Sequence, residues 1–460
     1  MGPGVERIDL VTALIATTDG GAPPSALDNR LVAELHRAIG DELSEAHGRH
    51  ETEGRRLHPD DERALTRKLL GDELRRLAGE AYAKGSAPLD DEEEAAITAA
   101  VLDRLHGLAR LQPFLDDANV RDIHISGCER VWLSLRDGGK VRGTPVADSD
   151  EELVELIATA ARRLGRSERR WDNAHPELNL QLPNGDRLHA LMAVSGRPTI
   201  TVRRHDFEIS RLGQLIDRGV GDDLLGGFLG AAVRARANVI VAGGTGTGKT
   251  TMLRCLINEI PARERLITIE DSLEIGIERF DDLHPDHESL EAREANTEGV
   301  GAFTLADLVR SALRMDPDRV IVGEVRGSEV LPMLLAMSQG NDGSMCSIHS
   351  DSSKGVFSRL AMYAAMTAER LAPEVTNLLV SNAVDLVVHL GWVDGERVIT
   401  SVREITGAVE SGQVVSNELW RPGPSGRATP AAPPTTDLGG RLEDHGFDPS
   451  DHAHADGWWR

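Results

Sequence analysis

Residues 238–250 read Asn-Val-Ile-Val-Ala-Gly-Gly-Thr-Gly-Thr-Gly-Lys-Thr, an apolar, β-branched run that passes directly into a glycine-rich segment. The glycine-rich part fits the Walker A pattern, and it has the preceding strand and the following helical pattern which that motif requires. Glycines let backbone N–H groups turn inward around phosphates, Lys249 reaches the β and γ oxygens, and Thr250 can bind Mg²⁺. The sequence therefore predicts a nucleoside triphosphate site. The predicted contacts are Gly243, Gly244, Thr245, Gly246, Thr247, Gly248, Lys249, Thr250 and Thr251.

The segments around this loop alternate between strand and helix patterns. Apolar strands are expected at 238–242, 266–270, 319–323 and 344–348, with helical stretches between them. Such alternation is typical of parallel strands joined by crossover helices. We therefore predict an α/β nucleotide-binding domain with a parallel-centred sheet over residues 207–420.

Three further regions flank this domain. Residues 1–110 are expected to form a helical extension, because apolar residues recur at helical spacing. Residues 111–206 show period-two alternation with one helix at about 149–165, which predicts a separate α+β domain. Residues 421–460 are rich in Pro, Gly, Ser, Thr and Ala, a composition that favours a disordered tail.

Composition limits the classes of function. The 460 residues carry a net charge of −24 and are 40% apolar, with only three cysteines, Cys128, Cys255 and Cys346. Three scattered thiols predict neither a disulfide framework nor a four-thiolate zinc site, and with no signal-peptide pattern visible we expect a reducing, cytoplasmic location. The acidity and the 3% aromatic content argue against a nucleic-acid partner.

Carboxylates that end neighbouring strands are the candidates for hydrolytic chemistry. Glu324 follows the strand Val320-Ile321-Val322-Gly323, where a water-positioning base would lie at the carboxyl edge of the sheet. Gly323 stands where many phosphate-loop enzymes have an Asp for magnesium, so Mg²⁺ would depend on Thr250 and a further carboxylate. Glu270 and Asp271 are the candidates, as a catalytic residue and a metal ligand, although strand-end acids also commonly cap helices.

Four segments in order resemble the secretion-ATPase superfamily of type II and type IV secretion and type IV pili. They are Gly-Gly-Thr-Gly-Thr-Gly-Lys-Thr-Thr (243–251), Ile-Glu-Asp-Ser-Leu-Glu (269–274), Leu-Arg-Met (313–315) with Val-Gly-Glu-Val-Arg-Gly (322–327), and Gly-Ser-Met-Cys-Ser-Ile-His-Ser (343–350). They look like the Walker A, Asp, Walker B and His boxes of that family. Phe-Leu-Asp-Asp-Ala-Asn-Val-Arg-Asp-Ile-His-Ile-Ser-Gly (114–127), Leu-Pro-Asn-Gly-Asp-Arg-Leu-His-Ala (182–190) and Ile-Thr-Val-Arg-Arg (200–204) look most like the CpaF-type ATPases of tight-adherence (Flp) pili.

The resemblance implies a homo-hexameric, RecA-like ATPase that binds ATP and Mg²⁺, follows a PAS-like N-terminal domain, and docks on an inner-membrane platform protein. It also implies that Arg187, Arg203 and Arg204 approach the phosphates, and that His349 senses the γ-phosphate or relays between subunits. From spacing alone, Arg203 and Arg204 also fit a solvated strand end, and His349 a structural hydrogen bond.

Departures from the family pattern fall beside these boxes. Asp316 follows Leu-Arg-Met where an Arg is usual, and Ser-Asp-Ser-Ser-Lys (350–354) follows His349 where Ala-Asn-Ser-Pro is usual. The core catalytic residues are retained, so an active enzyme is expected. A type IV secretion or conjugation ATPase, a nucleic-acid translocase, and a nucleotide-dependent scaffold without turnover are the alternatives.

Overall fold

The computed structural model describes residues 29–52, 59–136, 138–164, 171–182, 184–204, 207–293, 295 and 299–454. The chain divides into two compact units, residues 1–205 and 206–460, close to the predicted end of the α+β domain. The first 28 residues of the predicted helical extension lie outside the described residues.

The first unit begins with three helices, α1 (Asn29–Thr52), α2 (Pro59–Ala83) and α3 (Asp91–His106). Their apolar residues form one small core. Asp90 caps α3 by accepting a hydrogen bond from the Glu93 N–H while the Glu93 side chain accepts from the Asp90 N–H. The acidic residues 91–94 form the first turn of this helix, where the positive end of the helix dipole favours negative charge. A short turn, Ala109–Leu111, and helix α4 (Gln112–Asp116) lead into the sheet.

A six-stranded antiparallel sheet forms the rest of this unit. The strands are β1 (Val120–Ser126), β2 (Val131–Leu135), β3 (Lys140–Arg142), β4 (Glu177–Gln181), β5 (Arg187–Leu191) and β6 (Thr199–Arg203), in the order β3-β2-β1-β6-β5-β4. Helix α5 (Asp150–Leu164) lies between β3 and β4 in the chain. Alternate residues such as Leu188, Ala190, Ile200 and Val202 are buried in the core of this unit. The sheet confirms an α+β arrangement, and its PAS-like character stays a prediction.

A nine-stranded sheet organises the second unit. Its strands are β7 (Val239–Gly243), β8 (Leu266–Glu270), β9 (His287–Glu291), β10 (Arg319–Val325), β11 (Met345–His349), β12 (Leu386–Val393), β13 (Glu396–Glu410), β14 (Gln413–Pro422) and β15 (Ala428–Pro430). The order is β15-β14-β13-β12-β7-β11-β10-β8-β9, and the six strands from β12 to β9 run parallel. The predicted parallel-centred α/β sheet is therefore correct.

Helices cover both faces of this sheet. They are α6 (Leu212–Asp217), α7 (Asp223–Arg234), α8 (Lys249–Ile257), α9 (Leu305–Ala312), α10 (Val330–Ser338), α11 (Gly355–Met366), α12 (Pro373–Ala383), α13 (Thr436–Glu443) and α14 (Pro449–His454). Val239 and Val241 of β7 point into one hydrophobic core, and Ile240 and Ala242 into the other. Burial on both faces explains why the central strands are continuously apolar.

A buried asparagine links three chain segments by hydrogen bonds at the edge of the sheet opposite the phosphate loop. Asn238 precedes β7 and is 3% exposed. Its side-chain N–H groups donate to the carbonyls of Met337 and Ala383 at 2.8 and 2.7 Å. Its side-chain oxygen accepts from the N–H groups of Gly343 and Ser344, each at 2.9 Å. One side chain thus satisfies four backbone groups from three segments.

The predicted disordered tail is wrong over residues 421–454. Strand β15 pairs with β14, and Leu438, Leu442 and Phe447 are buried in the same core as Phe228. Phe447 meets the Phe228 ring edge-on, with centroids 5.4 Å apart. The composition of the segment cannot build a core of its own, but its few apolar residues complete a core that the preceding strands and helices have already formed. Trp458 and Trp459 lie outside the described residues.

Candidate functional site

The phosphate loop connects β7 to helix α8 as the sequence predicts. Gly246 and Gly248 adopt φ values of +75° and +93°, a left-handed region in which other residues are strained. The Thr247 hydroxyl donates to the Gly244 carbonyl at 2.9 Å and holds the loop closed. Lys249 begins the helix, so the unpaired N–H groups of its first turn face the loop and favour an anion.

The parallel register places the predicted acidic and basic residues along one edge of the sheet. His349 ends β11 directly opposite Gly243 of β7. Glu324 lies near the end of β10, the next strand, and Glu270 ends β8 beyond it. The residues therefore follow one another across the carboxyl edge, where ligands of open α/β sheets bind.

Lys249, Glu324 and His349 form a compact charged cluster. The Lys249 Nζ lies 3.7 Å from Glu324 Oε1 and 3.3 Å from His349 Nδ1, and it donates to the Gly244 carbonyl at 3.1 Å. The His349 Nε2 lies 3.0 Å from the same Glu324 oxygen. Lys249 is 8% exposed, and its ammonium group is held inside the loop by these contacts.

Burial sets the protonation tendencies in this cluster. Desolvation lowers the pKa of Lys249 from its usual value, while the neighbouring Glu324 carboxylate acts in the opposite direction. Desolvation, followed by the positive charge of Lys249, lowers the pKa of His349, which Glu324 again opposes. At neutral pH His349 is therefore an uncharged imidazole that can donate one hydrogen bond to Glu324.

Glu270 is deeply buried beside the Walker B strand. It is 3% exposed, and its Oε1 accepts hydrogen bonds from the N–H groups of Glu274 and Ile275, each at 2.9 Å. Burial raises its pKa to about 8, despite these two hydrogen bonds. A Cβ at Gly323 would lie only 2.9 Å from the Glu270 Cγ. The Glu270 side chain thus occupies the space that a side chain at position 323 would need.

Asp271 has a different partner from the one predicted. Its carboxylate forms an ion pair with Arg326, whose Nε lies 3.6 Å from Glu324 Oε2. Since Arg326 already neutralises this carboxylate, the role of Asp271 as a metal ligand gains no support from its contacts. Arg326 itself was missed as a site residue, although it stands two positions after Glu324 in the quoted Walker B segment.

The three predicted arginines differ in their surroundings within the first unit. Arg187 and Arg203 are direct partners across β5 and β6, and the Arg203 side chain is 66% exposed. The Arg204 guanidinium instead donates to the carbonyls of Asp117 and Val120 and lies 3.4 Å from Asp186, with its side chain 15% exposed. Arg204 therefore stabilises its own unit, so its predicted role at the phosphates gains no support from these contacts.

A parallel sheet with this loop and this edge of charged residues defines a P-loop nucleotide-binding domain. The chain belongs to the family described as Type II/IV secretion system protein, whose model matches residues 105–394. It is 33% identical over 287 residues to the Mycobacterium tuberculosis (strain ATCC 25618 / H37Rv) protein named "Putative conjugal transfer protein Rv3659c", covering 60% of this chain and 79% of that protein. It is 30% identical over 328 residues to "Type IV secretion system protein VirB11" of Brucella suis biovar 1 (strain 1330), covering 65% and 88%.

Similarity to solved structures is weaker. The VirB11 ATPase from the Brucella suis type IV secretion system, crystallised with sulphate, is 28% identical, with coverage of 65% of this chain and 97% of that chain and a TM-score of 0.35. A TM-score this low adds nothing to the family assignment. Among the helices that the structure describes, none is both long and apolar enough to cross a membrane.

The family assignment confirms the superfamily that the four boxes predicted, and it supports a secretion ATPase. The CpaF-type subgroup is not confirmed, because the relatives named here are conjugal transfer and type IV secretion proteins.

Proposed function

We propose that this chain hydrolyses Mg-ATP to drive a secretion or pilus-assembly machine. The Lys249–Glu324–His349 cluster at the mouth of the phosphate loop supports this proposal, because it brings a cation, a carboxylate and a neutral imidazole to the place where a γ-phosphate would lie. Lys249 is held by Gly244 and Glu324, both of which offer oxygen atoms. Phosphate oxygens of a bound nucleotide would take the place of these partners.

Glu324 is the proposed water-positioning base. Once Lys249 binds the phosphates, the Glu324 carboxylate is free to accept a proton from a water that attacks the γ-phosphorus. The bond between that phosphorus and the β–γ bridging oxygen breaks, and ADP and inorganic phosphate are the products. His349, 3.0 Å from Glu324, holds the carboxylate in position.

The Thr250 hydroxyl is the proposed protein ligand for Mg²⁺. It lies in the first turn of α8, directly after Lys249, and a neutral hydroxyl oxygen suits this hard cation. When bound, Mg²⁺ would neutralise part of the phosphate charge. Asp271 remains a weaker candidate because of its ion pair with Arg326.

Arg203 and Arg187 are the proposed phosphate-binding arginines of the first unit. They lie side by side on neighbouring strands, and Arg203 is largely exposed. Two guanidinium groups in this position present forked donors of the kind that hold phosphate oxygens. We further propose that the chain assembles as a homo-hexamer and acts in the cytoplasm, at an inner-membrane platform protein.

The kind of machine has two candidates. Residues 114–127, 182–190 and 200–204 favour tight-adherence pilus assembly, as the sequence resemblance suggests. The named relatives favour type IV secretion or conjugation instead. Both candidates use the same ATPase chemistry, so they differ in the partner protein and not in the site.

The test is phosphate release with saturating Mg-ATP, with and without DNA, on the oligomer isolated by size. Glu324→Gln removes the base while keeping the shape of the side chain, and we expect turnover to fall by about 10²–10⁴-fold with ATP binding retained. Glu369→Gln, an exposed carboxylate of the same unit, is the matched control and should match wild type. Unchanged turnover in Glu324→Gln would contradict the assignment of the base. Strong stimulation by DNA would favour a translocase, and ATP binding without turnover in wild type a scaffold.

A further inference from the structure

A tight hairpin extends beside the phosphate loop. Strand β12 pairs in parallel with β7, and its Leu390 lies opposite Gly243, where the loop begins. Residues after Leu390 therefore continue past the carboxyl edge of the sheet, on the side of the nucleotide site. The chain then turns through Asp394 and Gly395, with φ values of +50° and +82°, and returns as β13.

Trp392 and Arg397 are partners across this hairpin. They face each other in the register of β12 and β13. The indole of Trp392 is 52% exposed, and the Arg397 Cζ lies 5.1 Å from its ring centroid. A cation over an aromatic face is attracted to it, so Arg397 restrains the ring. The half-exposed indole leaves ring surface accessible to a ligand.

Arg397 connects this aromatic ring to the phosphate loop. Its Cδ lies 3.6 Å from the position that a Cβ would occupy on Gly248. Gly248 is the last loop residue before Lys249, so the Arg397 stem lies beside the end of the phosphate loop. The order in space is thus the loop, the stem of Arg397, and the indole of Trp392. A nucleotide has the same order of chemical parts, with phosphates at one end and a flat base at the other.

We propose that Trp392 is the platform on which the purine base of the bound nucleotide stacks, and that Arg397 is the positioning residue that holds the indole. This inference depends on the proposed nucleotide site at residues 243–251. Stacking uses the face of the base and not its hydrogen-bonding edge, so the platform selects by the size of the ring. ATP and GTP should therefore bind with similar affinity, and CTP more weakly.

The test compares the affinity of four ligands by calorimetry in the presence of Mg²⁺: ATP, GTP, CTP and inorganic tripolyphosphate. Trp392→Ala should weaken ATP and GTP binding about tenfold, while Trp392→Phe, which keeps an aromatic face, should stay within about threefold of wild type. Tripolyphosphate has no base, so its affinity should be the same in all variants. Trp132→Ala is the matched control, because Trp132 is 43% exposed in the first unit with the Lys140 Nζ 5.8 Å from its ring centroid.

Each outcome bears on one of the two proposals. Wild-type affinity for ATP in Trp392→Ala would overturn the platform and leave the nucleotide site standing. An equal loss of ATP and tripolyphosphate affinity would also overturn it, since it would mean that the substitution disturbs the loop. Failure of wild type to bind either ATP or tripolyphosphate would contradict the proposed function itself.

Discussion

The buried carboxyl group of Glu270 should make the stability of the ATPase unit depend on pH. Burial raises its pKa in the folded protein from 4.5 to about 8. Below pH 4.5 the group is protonated in both the folded and the unfolded chain, so it favours neither. Between pH 4.5 and 8 the unfolded chain loses the proton while the folded chain keeps it, so the free energy of unfolding falls as the pH rises through this window.

The size of this effect follows from the width of the window. Each pH unit changes the free energy of unfolding by about 1.4 kcal/mol for one group, so a rise from pH 6 to pH 7.5 costs about 2 kcal/mol. Glu270→Gln abolishes this dependence. It also keeps an oxygen that can accept from the N–H groups of Glu274 and Ile275, so the loop after β8 should keep its conformation.

The assay is thermal unfolding of wild type, Glu270→Gln and Glu288→Gln at pH 6 and pH 7.5. Relative to wild type, the midpoint of Glu270→Gln should rise by about 4–8 °C between the two pH values, taking about 2–4 °C per kcal/mol for a unit of this size. Glu288 is exposed on the neighbouring strand β9, and its variant should follow wild type at both pH values. If the difference in unfolding midpoint between Glu270→Gln and wild type is the same at pH 6 and pH 7.5, the raised pKa of Glu270 does not control the pH dependence of stability. Turnover of the same variant also tests the predicted catalytic role of Glu270.

Two further predictions concern residues whose partners the structure reveals. Asn238→Ala leaves four backbone groups without their hydrogen bonds and should lower the free energy of unfolding, measured by urea titration, by about 3 kcal/mol or more. The control is Asn382→Ala, which removes an exposed amide and should change the free energy of unfolding by less than about 0.5 kcal/mol. Arg204→Met should destabilise the first unit by about 2 kcal/mol, because it leaves the buried Asp186 carboxylate without the Arg204 guanidinium. Arg203→Met should leave the stability nearly unchanged and lower ATP turnover. Equal stability of the two arginine variants would contradict the structural role of Arg204.

The sequence by itself determined the glycine-rich loop and the type of sheet. The loop from Gly243 to Thr250 could be predicted because its chemistry depends on backbone conformation and on the helix that follows, and both are local properties of the chain. The parallel strands could be predicted because burial on both faces requires continuous apolar runs. Glu324 and His349 come together because they lie at or next to the carboxyl ends of neighbouring parallel strands, and Lys249 joins them because it begins the helix that follows the loop after β7.

Other features depended on residues that are distant in the chain. The segment 421–454 is ordered because Leu438, Leu442 and Phe447 fill a core built by other elements. The amino-acid composition of the segment cannot show this, because it contains no information about the rest of the chain. The sequence shows Arg203 and Arg204 as equivalent neighbours, but Arg203 ends β6 with an exposed side chain, whereas Arg204 follows the strand and contacts Asp117, Val120 and Asp186. Only the tertiary structure shows this difference.

The same reasoning applies beside the Walker B strand. Gly323 looks like a missing metal ligand until the Glu270 side chain is seen in that space, and Asp271 looks like a replacement until Arg326 is seen to pair with it. The kinds of chemical group at the site were determined by the sequence, because strand ends and loop glycines are recognisable locally. The partner of each charge was decided only by the tertiary structure, because electrostatic attraction and burial act between side chains that packing brings together.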